Sequence, residues 1–133
     1  LVIVSLGKLC RFNRYDDTIP KSCAAVRADA ADCKAPRLVE ICGETARFQY
    51  YIGLPVVSID HYAEQTAQRK QLKKLLRESN FAYVFLEEKS GQETPAAAVG
   101  AAESEWKQIF SAPRDNRKRA YINVYRYRSS GEK

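Results

Sequence analysis

One segment of the chain, Phe81-Ala82-Tyr83-Val84-Phe85-Leu86, is apolar at every position, and the polar residues Glu87–Gly91 follow it at once. Such a run has the length of a β-strand, and it lacks the alternating polar positions of a strand that has one face in water. We therefore predict a central strand that is buried on both faces and that ends in a polar loop. This strand limits the fold to classes in which a sheet is covered by other elements.

The segments on either side of this run have helical character. We predict a helix over His61–Ser79, because Asp60 is a good N-cap and Gln, Glu, Lys and Arg favour helices. Thr94-Pro95 is predicted to open a second helix, which runs to about Ser111 before Pro113 stops it. The residues expected to pack are Tyr62, Ala63, Leu72, Leu75 and Leu76 in the first helix, and Val99, Trp106, Ile109 and Phe110 in the second.

Shorter elements are predicted from turn residues and apolar patterns. A short alanine-rich helix, Cys23–Cys33, is expected to be capped by Ser22 and ended by Pro36. In the strand Arg37–Cys42, Val39 and Ile41 are expected to share one face. The other predicted strands are residues 1–12 (before a turn at Asn13–Asp17), Ala46–Ile52 with Phe48, Tyr50 and Tyr51, Val56–Ile59, and Arg119–Arg128 after a turn at Asp115-Asn116.

These elements predict a single α/β domain of the α+β sandwich type over residues 1–133. Short connections and right-handed crossovers favour a mixed, mainly antiparallel sheet of about four to six strands, covered on one face by two main helices. Within it we predict a disulfide-stapled N-terminal third (a subregion over 1–44), an alternating strand and helix core over 45–128, and a frayed tail over 129–133.

The four cysteines, Cys10, Cys23, Cys33 and Cys42, all lie in the first third of the chain. An even number of clustered cysteines is typical of a disulfide framework in an extracytoplasmic protein. Structural zinc sites bring close cysteine pairs, which are missing here. We predict two disulfides, with their pairing left open and buried free thiols as the alternative.

The charge and the start of the chain bear on partners and compartment. A net charge of +6 and a pI near 9.2 favour acidic partners. The chain has no methionine, which removal of a signal peptide would explain, and its first apolar run, Leu1–Leu6, is too short to span a membrane. We predict a secreted or periplasmic protein without a membrane span, taken as a monomer.

His61 is the only histidine and the first candidate for acid–base chemistry. In a ribonuclease-like enzyme it would act on a phosphate together with a carboxylate such as Glu64, Glu87 or Glu88. The alternative is a surface histidine in a first helical turn, and we favour it because no second acid–base group can be identified. No nucleophile elbow, P-loop, HExxH or GxGxxG motif occurs, so we predict no catalytic residues, no cofactor and no metal.

Two basic clusters are the candidate contact surfaces. The first lies on the predicted helix His61–Ser79, and the second lies around the last strand, where tyrosines alternate with arginines. They consist of Arg69, Lys70, Lys73, Lys74 and Arg77, and of Arg119, Tyr125, Arg126, Tyr127 and Arg128. The alternatives without a contact role are a solvated helix face and cross-strand tyrosine packing.

Strand geometry places Tyr121, Asn123, Tyr125 and Tyr127 on one face of the last strand, and Ile122 and Val124 on the other. Tyrosine and arginine are enriched in protein interfaces. They also serve nucleic-acid binding, where bases stack on tyrosines and arginines hold phosphates. If one partner is bound electrostatically, we expect both clusters to form one continuous positive region with Tyr125 and Tyr127 at its edge.

The function predicted from the sequence is that of a small secreted binding protein without catalysis. It would recognise a protein partner that has an acidic surface, in the manner of an effector or virulence factor, an inhibitor or an immunity protein. The alternatives are a nucleic-acid-binding or ribonuclease-like secreted protein, and a structural accessory of a cell-surface or secretion assembly.

Overall fold

The fold is built on a mixed five-stranded sheet with four α-helices, seen in a computed structural model that describes residues 17–31, 36–89, 95–114 and 120–129. The helices are α1 (Thr18–Asp29), α2 (Thr45–Ile52), α3 (Gln65–Arg77) and α4 (Pro95–Val99). The strands are β1 (Arg37–Ile41), β2 (Val57–Ser58), β3 (Phe81–Lys89), β4 (Trp106–Pro113) and β5 (Ala120–Arg128). A short 3₁₀ turn, Glu103–Glu105, leads into β4.

The strands are ordered β2-β1-β3-β5-β4. β1 is parallel to both β2 and β3, while β5 is antiparallel to both β3 and β4. The α+β class with a mixed sheet is therefore confirmed, although parallel and antiparallel pairings are equal in number. β3 lies in the middle of the sheet, as its apolar run predicts, and Val84 and Phe85 are fully buried.

Helices cover both faces of the sheet. α1 and α2 bury Ile19 and Phe48 on one face, against Phe85 of β3. α3 buries Leu72 and Leu76 on the other face, and α4 adds Val99 there. The prediction that two helices cover a single face is wrong, because two helical segments of the N-terminal half close the second face. We call these the α1 face and the α3 face.

The segment Ala46–Ile52, predicted as a strand, belongs to helix α2. Phe48 and Ile52 are buried four residues apart, which is the spacing of one helix face. Tyr50 lies on the opposite side and is 80% exposed. Gly53 ends the helix with a φ of +76°, a conformation that glycine adopts without steric cost.

The helix predicted over Thr94–Ser111 is only one turn long in the structure. α4 spans Pro95–Val99 and ends at Gly100, which has a φ of +75°. The second part of the predicted helix forms strand β4, and it pairs with β5 from Trp106 onwards. The helix prediction failed here because Gly100 ends the helix instead of weakening it, and because the open edge of β5 offers backbone partners to this segment.

The other two helices have different starts from those predicted. α3 begins at Gln65 instead of His61, because the Asp60 carboxylate accepts the backbone N–H of Tyr62 and closes a turn before the helix. α1 spans Thr18–Asp29 instead of 23–33. Ser22 therefore lies inside α1, where its hydroxyl donates to the Ile19 carbonyl instead of capping the helix.

Several predicted short elements agree with the structure. β1 and β2 form within the predicted strands, and Val39 and Ile41 share the α3 face. β3 extends through Lys89, so the first three residues of the predicted loop belong to the strand, and residues 90–91 lie outside the described residues. β5 covers all but the first residue of the predicted last strand. That residue, Arg119, lies outside the described residues, as do the strand and turn predicted within residues 1–17 up to residue 16, the turn predicted at 115–116 and the tail predicted to be frayed from residue 130 onwards.

The structure does not support a disulfide-stapled N-terminal third. Cys23 and Cys42 are buried free thiols, while Cys10 and Cys33 lie outside the described residues. Both thiols pack in the core of the α1 face, beside the backbone carbonyls of Phe48 and Phe85 respectively. These two cysteines therefore act as small apolar core residues.

Candidate functional site

A cleft of about 750 Å³ opens on the α3 face, at the carboxyl ends of the parallel strands β1 and β3. Ile41 and Leu86 from these strands line it, α3 forms one wall, and α4 closes the other side with Val99. The carboxyl ends of parallel strands are the usual position of ligand sites in open α/β sheets. The volume also lies within the range of small-molecule pockets.

His61 lies in this cleft, between β2 and the start of α3. Its Nδ1 atom is 3.3 Å from the Ile41 carbonyl oxygen. Since a carbonyl only accepts, the proton of a neutral ring belongs on Nδ1, and Nε2 is then left as an acceptor. Gly43 packs so closely that a side chain there would place its Cβ 3.4 Å from the His61 Cβ.

Glu88 is held in position by two side chains of β5. Its Oε1 atom accepts a hydrogen bond from Asn123 Nδ2 at 2.7 Å and another from the Tyr125 hydroxyl at 2.5 Å. Burial and the bond to Glu88 both raise the pKa of Tyr125, so the phenol stays protonated and donates. Among the described residues, no donor contacts the Glu88 Oε2 atom.

Glu87 also borders the cleft, but a buried arginine binds it. Arg114 Nη1 is 3.2 Å from Glu87 Oε1, and Arg114 Nη2 is 3.2 Å from Glu44 Oε2. The Arg114 side chain is only 1% exposed. This guanidinium joins β3, the start of α2 and the end of β4, so its bonds serve the fold rather than the cleft.

A second buried polar group, Glu40 of β1, organises the backbone below the cleft. Its carboxylate accepts hydrogen bonds from the Thr45 and Ser58 hydroxyls, each at 2.6 Å. It also accepts the backbone N–H of Cys42 and that of Glu44. These bonds tie β1 to β2 and to the start of α2, which fixes the strand ends that line the cleft.

The two thiols have no role in the cleft. Burial raises the pKa of Cys23 to about 11. The pKa of Cys42 is raised well above its usual value by burial, and then by the carboxylates of Glu40 and Glu87. Both thiols are therefore protonated at neutral pH and are poor nucleophiles.

The first basic cluster lies on α3. Lys70, Lys73, Lys74 and Arg77 are exposed. Arg69 is partly buried, lines the cleft and places its Nη2 atom 3.4 Å from Gln65 Oε1. We call the four exposed residues the α3 cations.

The second basic cluster is divided between the two faces of the sheet. Tyr125 and Tyr127 lie on the α3 face and pack at an angle against Trp106, with ring centroids 5.9 and 5.6 Å apart. Arg126 and Arg128 point to the α1 face, as the predicted alternation requires. There Arg126 pairs with Asp29 at 3.0 Å, and the Arg128 guanidinium stacks over the Phe81 ring at 4.7 Å.

The structure therefore does not bring the predicted contact residues together in one positive region. The α3 cations lie on one face, while Arg126 and Arg128 are bound to groups on the other. Arg119 lies outside the described residues. Among the described residues the two clusters do not form a single continuous region, because β5 alternates its side chains and because Arg126 and Arg128 have partners within the domain.

Sequence reasoning found part of the cleft and missed the groups that build it. It named Glu87 and Glu88 as possible partners of His61, and all three line the cleft, whereas Glu64 does not. It assigned no buried role to Arg114 or Glu40. A glutamate within an apolar strand was a signal that Glu40 is buried, whereas Arg114 precedes the basic residues Arg117, Lys118 and Arg119 and looks like one of them in sequence. Only the fold shows the partners of the two charges.

Comparison of the chain with protein-family models, with curated proteins and with solved structures finds no match. In the ranges that the structure describes, no group of histidine, cysteine, aspartate and glutamate side chains is arranged to hold a metal ion. Within the same ranges, every helix is too short or too polar to cross a bilayer.

Proposed function

We propose that this domain is a binding module that docks an acidic protein surface onto the α3 cations. The observation that carries the proposal is the distribution of charge around α3. At 100° per residue, Lys70, Lys73, Lys74 and Arg77 lie within an arc of about 100°. Leu72 and Leu76 lie on the buried side of the same helix.

These cations have no partner within the part of the chain that is described. Lys70, Lys73, Lys74 and Arg77 form no ion pair there. Like charges four residues apart, such as Lys70 and Lys74, slightly destabilise a helix. An acidic partner would remove this repulsion, and the attraction would speed its association.

The surroundings of the tyrosines favour a protein partner over a single-stranded nucleic acid. Bases stack on aromatic rings whose faces are open. Tyr125 and Tyr127 pack instead against Trp106, and Tyr125 is bonded to Glu88. The α3 cations are thus a charged surface without aromatic anchors from β5, which suits steering of an acidic protein.

The extracytoplasmic location stays a prediction of the sequence. Its support from disulfides is lost for Cys23 and Cys42, which are free thiols. Effector, inhibitor and immunity roles all agree with a domain that docks an acidic protein.

Association kinetics with two polyanions test the proposal. Immobilised poly-L-glutamate stands for an acidic protein, and poly-uridylate of matched charge stands for nucleic acid. The variant Lys73→Gln/Arg77→Gln removes two α3 cations. The control Lys21→Gln/Lys107→Gln removes the same charge from exposed positions on α1 and β4.

We expect the α3 variant to bind poly-L-glutamate about tenfold more slowly at low salt, with a flatter salt dependence, and the control to bind at nearly the wild-type rate. Equal losses in both variants would show that only net charge matters. Preferential binding of poly-uridylate would favour the nucleic-acid alternative. Either result contradicts the proposal.

A further inference from the structure

The cleft beside α3 carries a second inference, which does not rest on the proposed docking of an acidic partner. It combines apolar side chains with charged groups of both signs. Ile41, Leu72 and Val99 provide apolar surface, and each is at least nine-tenths buried. Glu88 and Arg69 provide the opposite charges.

Glu88 is the acidic group of the cleft whose carboxylate is oriented by neighbouring side chains. The bonds from Asn123 and Tyr125 hold Oε1 and orient the carboxylate. Its Oε2 atom has no donor among the described residues, so it is left for a group that donates. A carboxylate held in this way suits an ammonium group, which donates charge-assisted hydrogen bonds.

Cations lie in the same cleft. Arg69 extends from α3 towards Gln65, and Lys89 lies one residue beyond Glu88. The neighbouring carboxylate of Glu87 is neutralised by Arg114, so it opposes an anion less than an unpaired carboxylate would. A guanidinium binds a carboxylate through its planar fork of donors.

We infer that this cleft binds a small zwitterion with an apolar body, namely an α-amino acid with a large side chain. Its ammonium group would bind Glu88 Oε2, its carboxylate would face Arg69, and its side chain would lie on Ile41, Leu72 and Val99. His61 Nε2 offers one further acceptor for the ammonium group. The volume of about 750 Å³ accommodates an aromatic amino acid.

Calorimetric titration with three related compounds tests this inference on the wild-type chain. L-Phenylalanine carries both charges, phenethylamine lacks the carboxylate, and 3-phenylpropanoate lacks the ammonium group. Because each lost group removes a charge-assisted contact, we expect each analogue to bind about tenfold more weakly than L-phenylalanine. Equal affinities for the three compounds, or no saturable binding of L-phenylalanine, would overturn the inference.

Two variants then assign the contacts. Glu88→Gln keeps an oxygen for Tyr125 and Asn123 but presents an amide where the second carboxylate oxygen lies. We expect this variant to bind L-phenylalanine about tenfold more weakly and to bind 3-phenylpropanoate with unchanged affinity. Arg69→Gln should lower the affinity for L-phenylalanine by a similar factor and leave the affinity for phenethylamine unchanged.

Lys107→Gln, on strand β4 and away from the cleft, is the matched control and should bind all three compounds as the wild type does. Unchanged binding of L-phenylalanine by both cleft variants would place the compound elsewhere and overturn the assignment. If either variant fails to fold, as judged by circular dichroism, the comparison of the three compounds on the wild-type chain still decides.

Discussion

The two faces of the sheet use their charged residues in different ways. On the α1 face, charged side chains are paired within the domain: Arg126 with Asp29, and Arg114 with Glu44 and Glu87. On the α3 face, the α3 cations point into solvent, and a cleft separates α3 from α4. The comparison shows that these charges of the α1 face are bound within the domain, whereas the α3 cations have no ion-pair partner among the described residues.

The difference also shows that composition alone is a poor guide to a binding surface. The arginines of β5 and the cations of α3 look equivalent in sequence. Arg126 has a partner on α1, whereas Lys73 has none among the described residues. A buried or paired charge contributes to the fold, while an exposed and unpaired one remains free to attract a partner.

The largest expected effect is that of removing Arg114 from the α1 face. Arg114→Ala would leave Glu44 and Glu87 without their shared guanidinium, so we expect the free energy of unfolding to fall by about 3 kcal/mol or more. Urea denaturation followed by circular dichroism measures this loss. Arg77→Ala on the exposed surface of α3 is the control and should change stability by less than about 0.5 kcal/mol. Comparable losses in the two variants would break the contrast between the faces.

A smaller effect is expected at the bond that positions Glu88. Tyr125→Phe removes one of the two donors to Glu88 Oε1, and we expect the free energy of unfolding to fall by about 1–2 kcal/mol. Tyr127→Phe keeps the packing on Trp106 and is the control. If Tyr125→Phe unfolds at the same urea concentration as the wild type, the hydroxyl does not orient the carboxylate.

The pairing of Asp29 predicts a modest effect of pH on stability. Burial opposes ionisation of this carboxyl, but hydrogen bonds from Tyr83 and Arg126 and the charge of Arg126 outweigh it, so its pKa is lowered from the ordinary value of 3.8. A lowered folded-state pKa stabilises the protein above the unfolded pKa, and this stability is lost as the pH falls below about 4.

The variant Asp29→Asn isolates this contribution. The wild type should be more stable than the variant at pH 6, by about 1 kcal/mol or less, because the two side chains of the pair are 27% and 23% exposed and are partly screened by water. The difference should shrink as the pH is lowered from 4 to 2 in thermal unfolding experiments. A constant difference across this range would show that Asp29 does not exchange its proton on unfolding as the structure implies.

The smallest expected effect on stability belongs to the α3 cations. Because Lys73 and Arg77 form no ion pair in the described ranges, Lys73→Gln/Arg77→Gln should change the free energy of unfolding by less than about 0.5 kcal/mol. Urea denaturation checks this. A loss above 1 kcal/mol would mean that these cations hold the fold together, and the contrast between the two faces would fail.

Local sequence patterns predicted the elements whose signal is complete within a few residues. The run Phe81–Leu86 specified a central strand, and the alternation along β5 correctly separated Tyr125 from Val124. The aromatic residues of Ala46–Ile52 favoured a strand locally. The segment is a helix because this places Phe48 in the core of the α1 face. The segment from Trp106 onwards became a strand because an edge of the sheet lay beside it.

The candidate site was less accessible to sequence reasoning, because its contacts join distant parts of the chain. The register of the two strands places Glu88 opposite Tyr121, and the hydroxyl of Tyr125 reaches Glu88 from four positions further along β5. Arg114 meets Glu44 through the packing of α2. No local pattern contains such pairings. Glu87 and Glu88 directly follow the apolar run, so the sequence placed them near the end of a strand. For this reason they are the cleft carboxylates that could be predicted from the sequence.

The most direct test of the contrast between the two faces is a nuclear magnetic resonance titration of the ¹⁵N-labelled chain with poly-L-glutamate at low salt. We expect the amide shifts to concentrate on α3, Gln65–Arg77, and the amides of α1, Thr18–Asp29, to be unaffected. Shifts centred on α1 and on Arg126 and Arg128 of β5, with α3 unchanged, would contradict this expectation.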